Sequence, residues 1–120
     1  MALILLVDDD DDIAEMMLEI LDILGHDARR AANAADALQL VADGLSPDLV
    51  LSDLVMPGGM SGLELLAELR TRLPGLPAVL TTGYAERSRD IAGLPVPVLV
   101  KPFRTEDLEA TLDAALAGSK

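Results

Sequence analysis

The sequence contains no cysteine and no tryptophan, and only one tyrosine and one phenylalanine. Without cysteine there is no disulfide framework, no thiolate zinc site and no cysteine nucleophile, a composition that suits a reducing compartment, so the expected location is the cytoplasm. With aromatics at 2% the core has to be aliphatic, drawn from the Leu, Ala and Val that dominate a 51% hydrophobic content. Positive charge is scarce as well: nine Lys and Arg stand against 21 Asp and Glu, a formal net charge of -12. Such a field repels phosphate backbones and anionic lipid, so direct binding to nucleic acid or to a membrane surface is not expected; partners should be neutral, basic or cationic. No apolar run approaches the ~20 residues that span a bilayer, and the start lacks the basic leader and long apolar stretch of a secretory signal. At 120 residues the chain has the length of one domain, and residues 1–120 are expected to form a single unit.

What the sequence does have is concentrated acid. Ala2 to Val7 is a continuous apolar run of the kind covered on both faces in a parallel sheet, and it leads straight into five aspartates, Asp8 to Asp12. Ile13, Met16, Met17, Ile20, Leu21 and Leu24 then recur at helical spacing up to Gly25. His26 to Ala31 is a weaker strand, and Asn33 is placed to cap a helix burying Ala34, Ala37, Leu38 and Val41. A third strand runs over Asp48 to Asp53, and a helix with Leu65, Leu66, Leu69 and Leu73 follows the turn-rich loop MPGGMSG. Pro77 to Thr82 reads as strand four, Ala85 to Ala92 as a short charged helix, Pro97 to Val100 as strand five, and Thr105 as the cap of a last helix. Five strands alternating with five helices call for an α/β fold: a doubly wound parallel sheet with helices on both faces and right-handed crossovers.

Ligands in such sheets bind beyond the carboxyl ends of the strands. Strand one ends at Asp8 and Asp9, strand three at Asp53, strand four at Thr81 and Thr82, and strand five at Lys101. Close carboxylates without histidine or cysteine suit a hard, oxygen-seeking cation, magnesium before manganese. Lys101 is a compact cation able to meet phosphoryl oxygens, and a hydroxyl from Thr82 can donate to another. Asp53 is then the candidate nucleophile, forming an acyl phosphate whose approach is eased by the cations around it.

The segments LLVDDD, DLVLSDLVMPGGMSGLELL, PAVLTTGY and VLVKPF, in this order, resemble the receiver domain of two-component response regulators over essentially the whole chain. The resemblance implies the flavodoxin-like strand order 2-1-3-4-5 and a signalling switch rather than a turnover enzyme. It implies that Asp53 is the phosphoacceptor, that Asp9 binds Mg2+ directly and Asp8 largely through water, and that Val55 offers the ion its backbone carbonyl. Thr82 corresponds to the switch hydroxyl and Lys101 to the phosphate-facing amine, with Lys101-Pro102 a cis peptide. The phosphoryl donor would be a histidine kinase or histidine phosphotransfer domain, and the output a downstream effector protein, with the chain a monomer or a weak phosphorylation-dependent dimer. The chain departs from the pattern at Val98, where an aromatic often sits, and in the short stretch between Thr82 and Lys101, which is closer to receivers of hybrid kinases or stand-alone receivers.

Plainer roles compete for several residues. Asp10, Asp11 and Asp12 suit the positive start of a helix better than a metal. His26 lacks a partner at metal-binding spacing and suits a loop, and Phe103 suits the core under the last helix. Alternation along strand four sends Thr81 and Thr82 to opposite faces, and the resemblance favours Thr82, the one before Gly83, as the hydroxyl of the site. The resemblance implies that Val55 and Tyr84 border the path of a water attacking the acyl phosphate. The alternative from another class is a small Mg2+-dependent phosphohydrolase with an aspartyl nucleophile, which needs a further acid to activate water and a cap over its substrate.

Overall fold

The computed structural model describes residues 2–55, 60–83, 96–101 and 103–117. Along the chain run β1 (Leu3–Val7), α1 (Asp11–Ile23), β2 (Asp27–Ala31), α2 (Ala34–Ala42), β3 (Leu49–Asp53), α3 (Gly62–Arg72), β4 (Ala78–Thr82), β5 (Val98–Val100) and α4 (Thr105–Ala117). The five strands form one sheet in the order β2-β1-β3-β4-β5, every neighbouring pair parallel. The expected doubly wound sheet and its strand order are therefore present, with four helices among the described residues. The short helix expected over residues 85–92, Tyr84, the 56–59 part of the turn-rich loop and the Lys101-Pro102 peptide lie outside the described residues.

The apolar runs become the inner strands because both of their faces are covered. All five residues of β3 and all five of β4 are buried, whereas β2, at the sheet's edge, alternates exposed Asp27 and Arg29 with half-buried Ala28 and Arg30. On one face Leu5, Val7, Val50 and Ala78 pack with Ala37 and Val41 of α2 and Leu65, Leu66 and Leu69 of α3. On the other, Ile4, Leu6, Leu49, Leu51 and Val79 pack with Ala14, Met17 and Leu21 of α1 and Leu108 and Leu112 of α4. Side chains of a strand alternate between faces, so one leucine-rich strand feeds two separate cores. Each fully buried Leu or Val contributes roughly 1.5–3 kcal/mol of transfer free energy.

The helix ends follow the sequence closely. Asp10 caps α1 by accepting from the Ile13 N–H (3.0 Å), with Asp11 and Asp12 in the first turn, so the surplus acids of the run stabilise a helix start. Asn33 caps α2 through the Asp36 N–H (2.8 Å), and Ser61 and Glu64 cap α3 reciprocally. Gly25 ends α1 with φ of 89°, where its own N–H reaches the Asp22 carbonyl and that of His26 the Leu21 carbonyl, a pairing that needs a left-handed residue. The last helix differs from expectation: Thr105 is its first helical residue, and Arg104 stands at the cap position. The Arg104 carbonyl accepts from Leu108 and its N–H is held by the Asp107 carboxylate (3.4 Å), so the capping side chain comes from inside the helix. His26 accepts the Ala2 N–H at Nδ1 (3.2 Å), a loop role as expected, and Phe103 packs half-buried against the α1–α4 core.

Gly62 joins fold to site. It is buried at the start of α3 and donates its N–H to the Leu54 carbonyl (2.7 Å), and a methyl group there would overlap the backbone carbonyl of Asp53. Only backbone lies in the way, so the strand end itself would have to move. Gly62→Ala is therefore expected to destabilise the protein by about 1–3 kcal/mol or more, read as a lowered denaturant midpoint.

Candidate functional site

Four strand ends meet at one edge of the sheet. Asp8 and Asp9 follow β1, Asp53 closes β3, Thr81 and Thr82 close β4, and Lys101 follows β5. Parallel strands all present their carboxyl ends on the same side, so residues far apart in sequence are neighbours there. Val55, Asp53, Thr81, Thr82, Gly83 and Lys101 line one cleft.

The Lys101 ammonium bonds Asp53 Oδ1 at 2.7 Å and lies 3.5 Å from Asp8 Oδ2. Asp8 and Asp53 are 3% and 7% exposed, while Asp9 is open to solvent. Asp8, Asp9 and Asp53 can each bring a carboxylate oxygen within 4.8 Å of the others. Two unit charges at that distance repel by roughly 3–4 kcal/mol at an effective dielectric of ~20. Three carboxylates against one ammonium leave two negative charges uncompensated, and the donors are all oxygens. That combination suits a hard dication better than a soft one.

The pKa shifts follow from the same crowding. Burial is the main force raising the Asp8 carboxyl above its ordinary value, and the charge of Asp53 adds to it; the N–H of Asp10 (2.9 Å) and the Lys101 charge pull the other way without prevailing. Lys101 is drawn downward by burial, but its hydrogen bond to Asp53 and the charges of Asp53 and Asp8 outweigh this and hold it above the usual lysine value. It is an ammonium at neutral pH. Because the folded-state pKa of Asp8 is raised, Asp8 supports the fold below the ordinary carboxylate pKa, and that support is lost as pH rises through the raised value. Ionising Asp8 therefore costs the metal-free fold.

Two residues outside the sequence-derived set shape the cleft. The Thr81 hydroxyl donates to Asp53 Oδ1 at 2.7 Å. Alternation along β4 predicts opposite faces for Thr81 and Thr82, yet both line the cleft, because it lies beyond the end of the strand where the two faces merge. Thr82 Oγ1 is buried with no hydrogen-bond partner among the described residues. Arg30, at the end of β2, donates from Nε and Nη2 to the Asp8 carbonyl (3.2 and 2.9 Å) and pairs through Nη1 with Asp11 (2.8 Å). The register that faces Asp53 with Thr81 belongs to two strands together, so the sequence signal for Thr81 is only its place at the end of strand four; a bond to a backbone carbonyl leaves none for Arg30. Val55 is 60% exposed at the cleft mouth, and Val98, at the position noted for an aromatic, pairs with Leu80 half-buried in β5.

Comparison with known proteins agrees with this geometry. The family model described as the response regulator receiver domain matches residues 4–113. The chain is 34% identical to the regulatory protein AtoC of Escherichia coli over 94% of its own length and 25% of that protein's. It is 36% identical to the DNA-binding response regulator MtrA of Mycolicibacterium smegmatis over 94% of its length and 50% of that protein's. A crystal structure of a response regulator receiver domain protein from Clostridium thermocellum superposes with a TM-score of 0.86 at 26% identity, covering 98% of this chain and 95% of that one. The chain thus spans a quarter to a half of the length of these two sequence relatives. One of them is named for binding DNA, so the expectation that nucleic acid plays no part is not supported by the relatives. No helix among the described residues is long and apolar enough to cross a membrane. A parallel 2-1-3-4-5 sheet, acids and an amine gathered at its carboxyl edge, and a family match over nearly the whole chain lead to one assignment: this chain belongs to the response regulator receiver domains, which act as signalling switches.

Proposed function

We propose that this chain is a phosphoacceptor switch in which Asp53 takes a phosphoryl group, with Mg2+, from a histidine kinase or histidine phosphotransfer protein and then controls a downstream effector. The observation that carries the proposal is the Lys101 ammonium seated between Asp53 and Asp8 inside a three-carboxylate cluster. Asp8, Asp9, Asp53 and the backbone carbonyl of Val55 would hold the ion, with Mn2+ as the alternative of the same class. Bound there, a dication supplies the charge that relieves repulsion between the acceptor and an incoming phosphoryl group. An oxygen of Asp53 attacks phosphorus, the donor's P–N bond breaks, and the electron pair leaves on the imidazole nitrogen. Lys101 turns part of its charge toward the phosphoryl oxygens, and the Thr82 hydroxyl, without a partner among the described residues, supplies a further donor; positioning and electrostatics carry the step. Lys101 also borders an apolar groove together with Ile13, Met16, Met17 and Phe103. Movement of Thr82 and Lys101 toward the phosphoryl group would bias the surface near β5 and α4 for an effector.

Incubation with acetyl phosphate and Mg2+, followed by intact-mass measurement, is expected to show one phosphoryl adduct that Asp53→Ala abolishes completely. Continuous phosphate release without an adduct would point instead to the phosphohydrolase. The crowding of buried Asp8 against Asp9 and Asp53 sets a second expectation: Asp8→Asn raises the melting temperature of the metal-free protein. Wild type gains about 2.7 kcal/mol at a hundredfold excess of Mg2+ over its Kd, and the variant gains far less, both by thermal denaturation. Finally, the Val55 side chain can neither donate to nor accept from a hydrolytic water. Val55→Asn is expected to shorten the lifetime of the phosphorylated protein severalfold, followed by loss of the adduct mass with time.

A further inference from the structure

Thr81 occupies a place in the cleft that the acceptor chemistry described above does not use. It stands directly opposite Asp53 in the β3–β4 ladder, and the ladder continues past that pair with the Leu54 N–H bonded to the Thr81 carbonyl (2.7 Å). The distance between the two residues is therefore set by main chain on both sides. Thr81 is 4% exposed and β-branched, so its χ1 has few alternatives. Its hydroxyl and the Lys101 ammonium both reach Asp53 Oδ1 at 2.7 Å.

These two donors differ in stiffness and in duty. Lys101 is a long side chain shared between Asp53 and Asp8, and phosphoryl transfer requires it to turn toward new oxygens. The Thr81 hydroxyl is short, buried and committed to one acceptor. Neighbouring Thr82, by contrast, has a buried hydroxyl with no partner among the described residues. Adjacent threonines thus divide the work, one already engaged with the carboxylate and the other free to engage an arriving group.

We propose that Thr81 is a positioning residue for phosphoryl transfer: its hydroxyl fixes the plane of the Asp53 carboxylate before attack and keeps it fixed when Lys101 shifts. The proposal rests on the assignment of Asp53 as acceptor. In the step an Asp53 oxygen–phosphorus bond forms, the phosphorus–donor bond breaks and the donor leaves with the electron pair. Thr81 keeps its proton throughout.

The test compares wild type with Thr81→Val, Thr81→Ser and Thr81→Ala, measuring the rate of adduct formation at saturating acetyl phosphate and Mg2+ by intact mass. Loss of a hydrogen bond to a charged group is expected to slow Thr81→Val roughly tenfold or more. Thr81→Ser should stay close to wild type while Thr81→Ala is slow; both lack the methyl group, so their difference isolates the hydroxyl and decides the matter even if Thr81→Val does not fold. Labelling of Thr81→Val at the wild-type rate, or equal rates for Thr81→Ser and Thr81→Ala, would overturn the role of Thr81 alone. A wild-type protein that takes no label overturns the acceptor assignment and this role together.

Discussion

The ion pair between Lys101 and Asp53, shared with Asp8, is the contact around which the rest of the cleft is organised. Taking two carboxylates almost fully out of water is costly, and the ammonium offsets only part of that cost. A chain shaped for stability alone would place apolar side chains at these strand ends. The excess of negative charge left over is what an acidic pocket able to hold a cation requires.

The sheet supplies the precision this arrangement needs. Inner strands buried on both faces cannot slide without exposing leucines, so the register that sets Thr81 against Asp53 is enforced by the two hydrophobic cores and not by the polar residues themselves. Gly62 adds a second restraint: α3 begins so close to the end of β3 that only a hydrogen fits between them, which ties the backbone of Asp53 to the helix carrying Leu65 and Leu69. Packing, in this protein, is what turns a collection of acids into a site.

How much of this could be read from the sequence depends on whether a feature is local. Strands β1, β3 and β4 were legible because apolar runs covered on both faces end abruptly in Asp8, Asp53 and Thr82, and their polar ends pointed to the cleft before any geometry was known. Asn33 and Gly25 marked helix limits through chemistry confined to a few residues. Both threonines at the end of β4 are legible as candidate hydroxyls, but the resemblance favours Thr82, the one before Gly83, whereas the place of Thr81 opposite Asp53 is a property of two strands together. Arg104 as the cap of α4 was hidden for a similar reason, since Asp107 does the work from one turn inside the helix.

Arg30 gives the cleft an asymmetry. Its guanidinium grips the backbone of the acid-bearing corner from the outermost strand and holds Asp11 on the adjoining helix start with the same group. That corner is braced against the margin of the sheet through both its strand end and its helix start. The cleft is thus held to β2 through main chain, at the Asp8 carbonyl, and to β5 through the side chain of Lys101, one margin fastened by backbone and the other by a single long side chain.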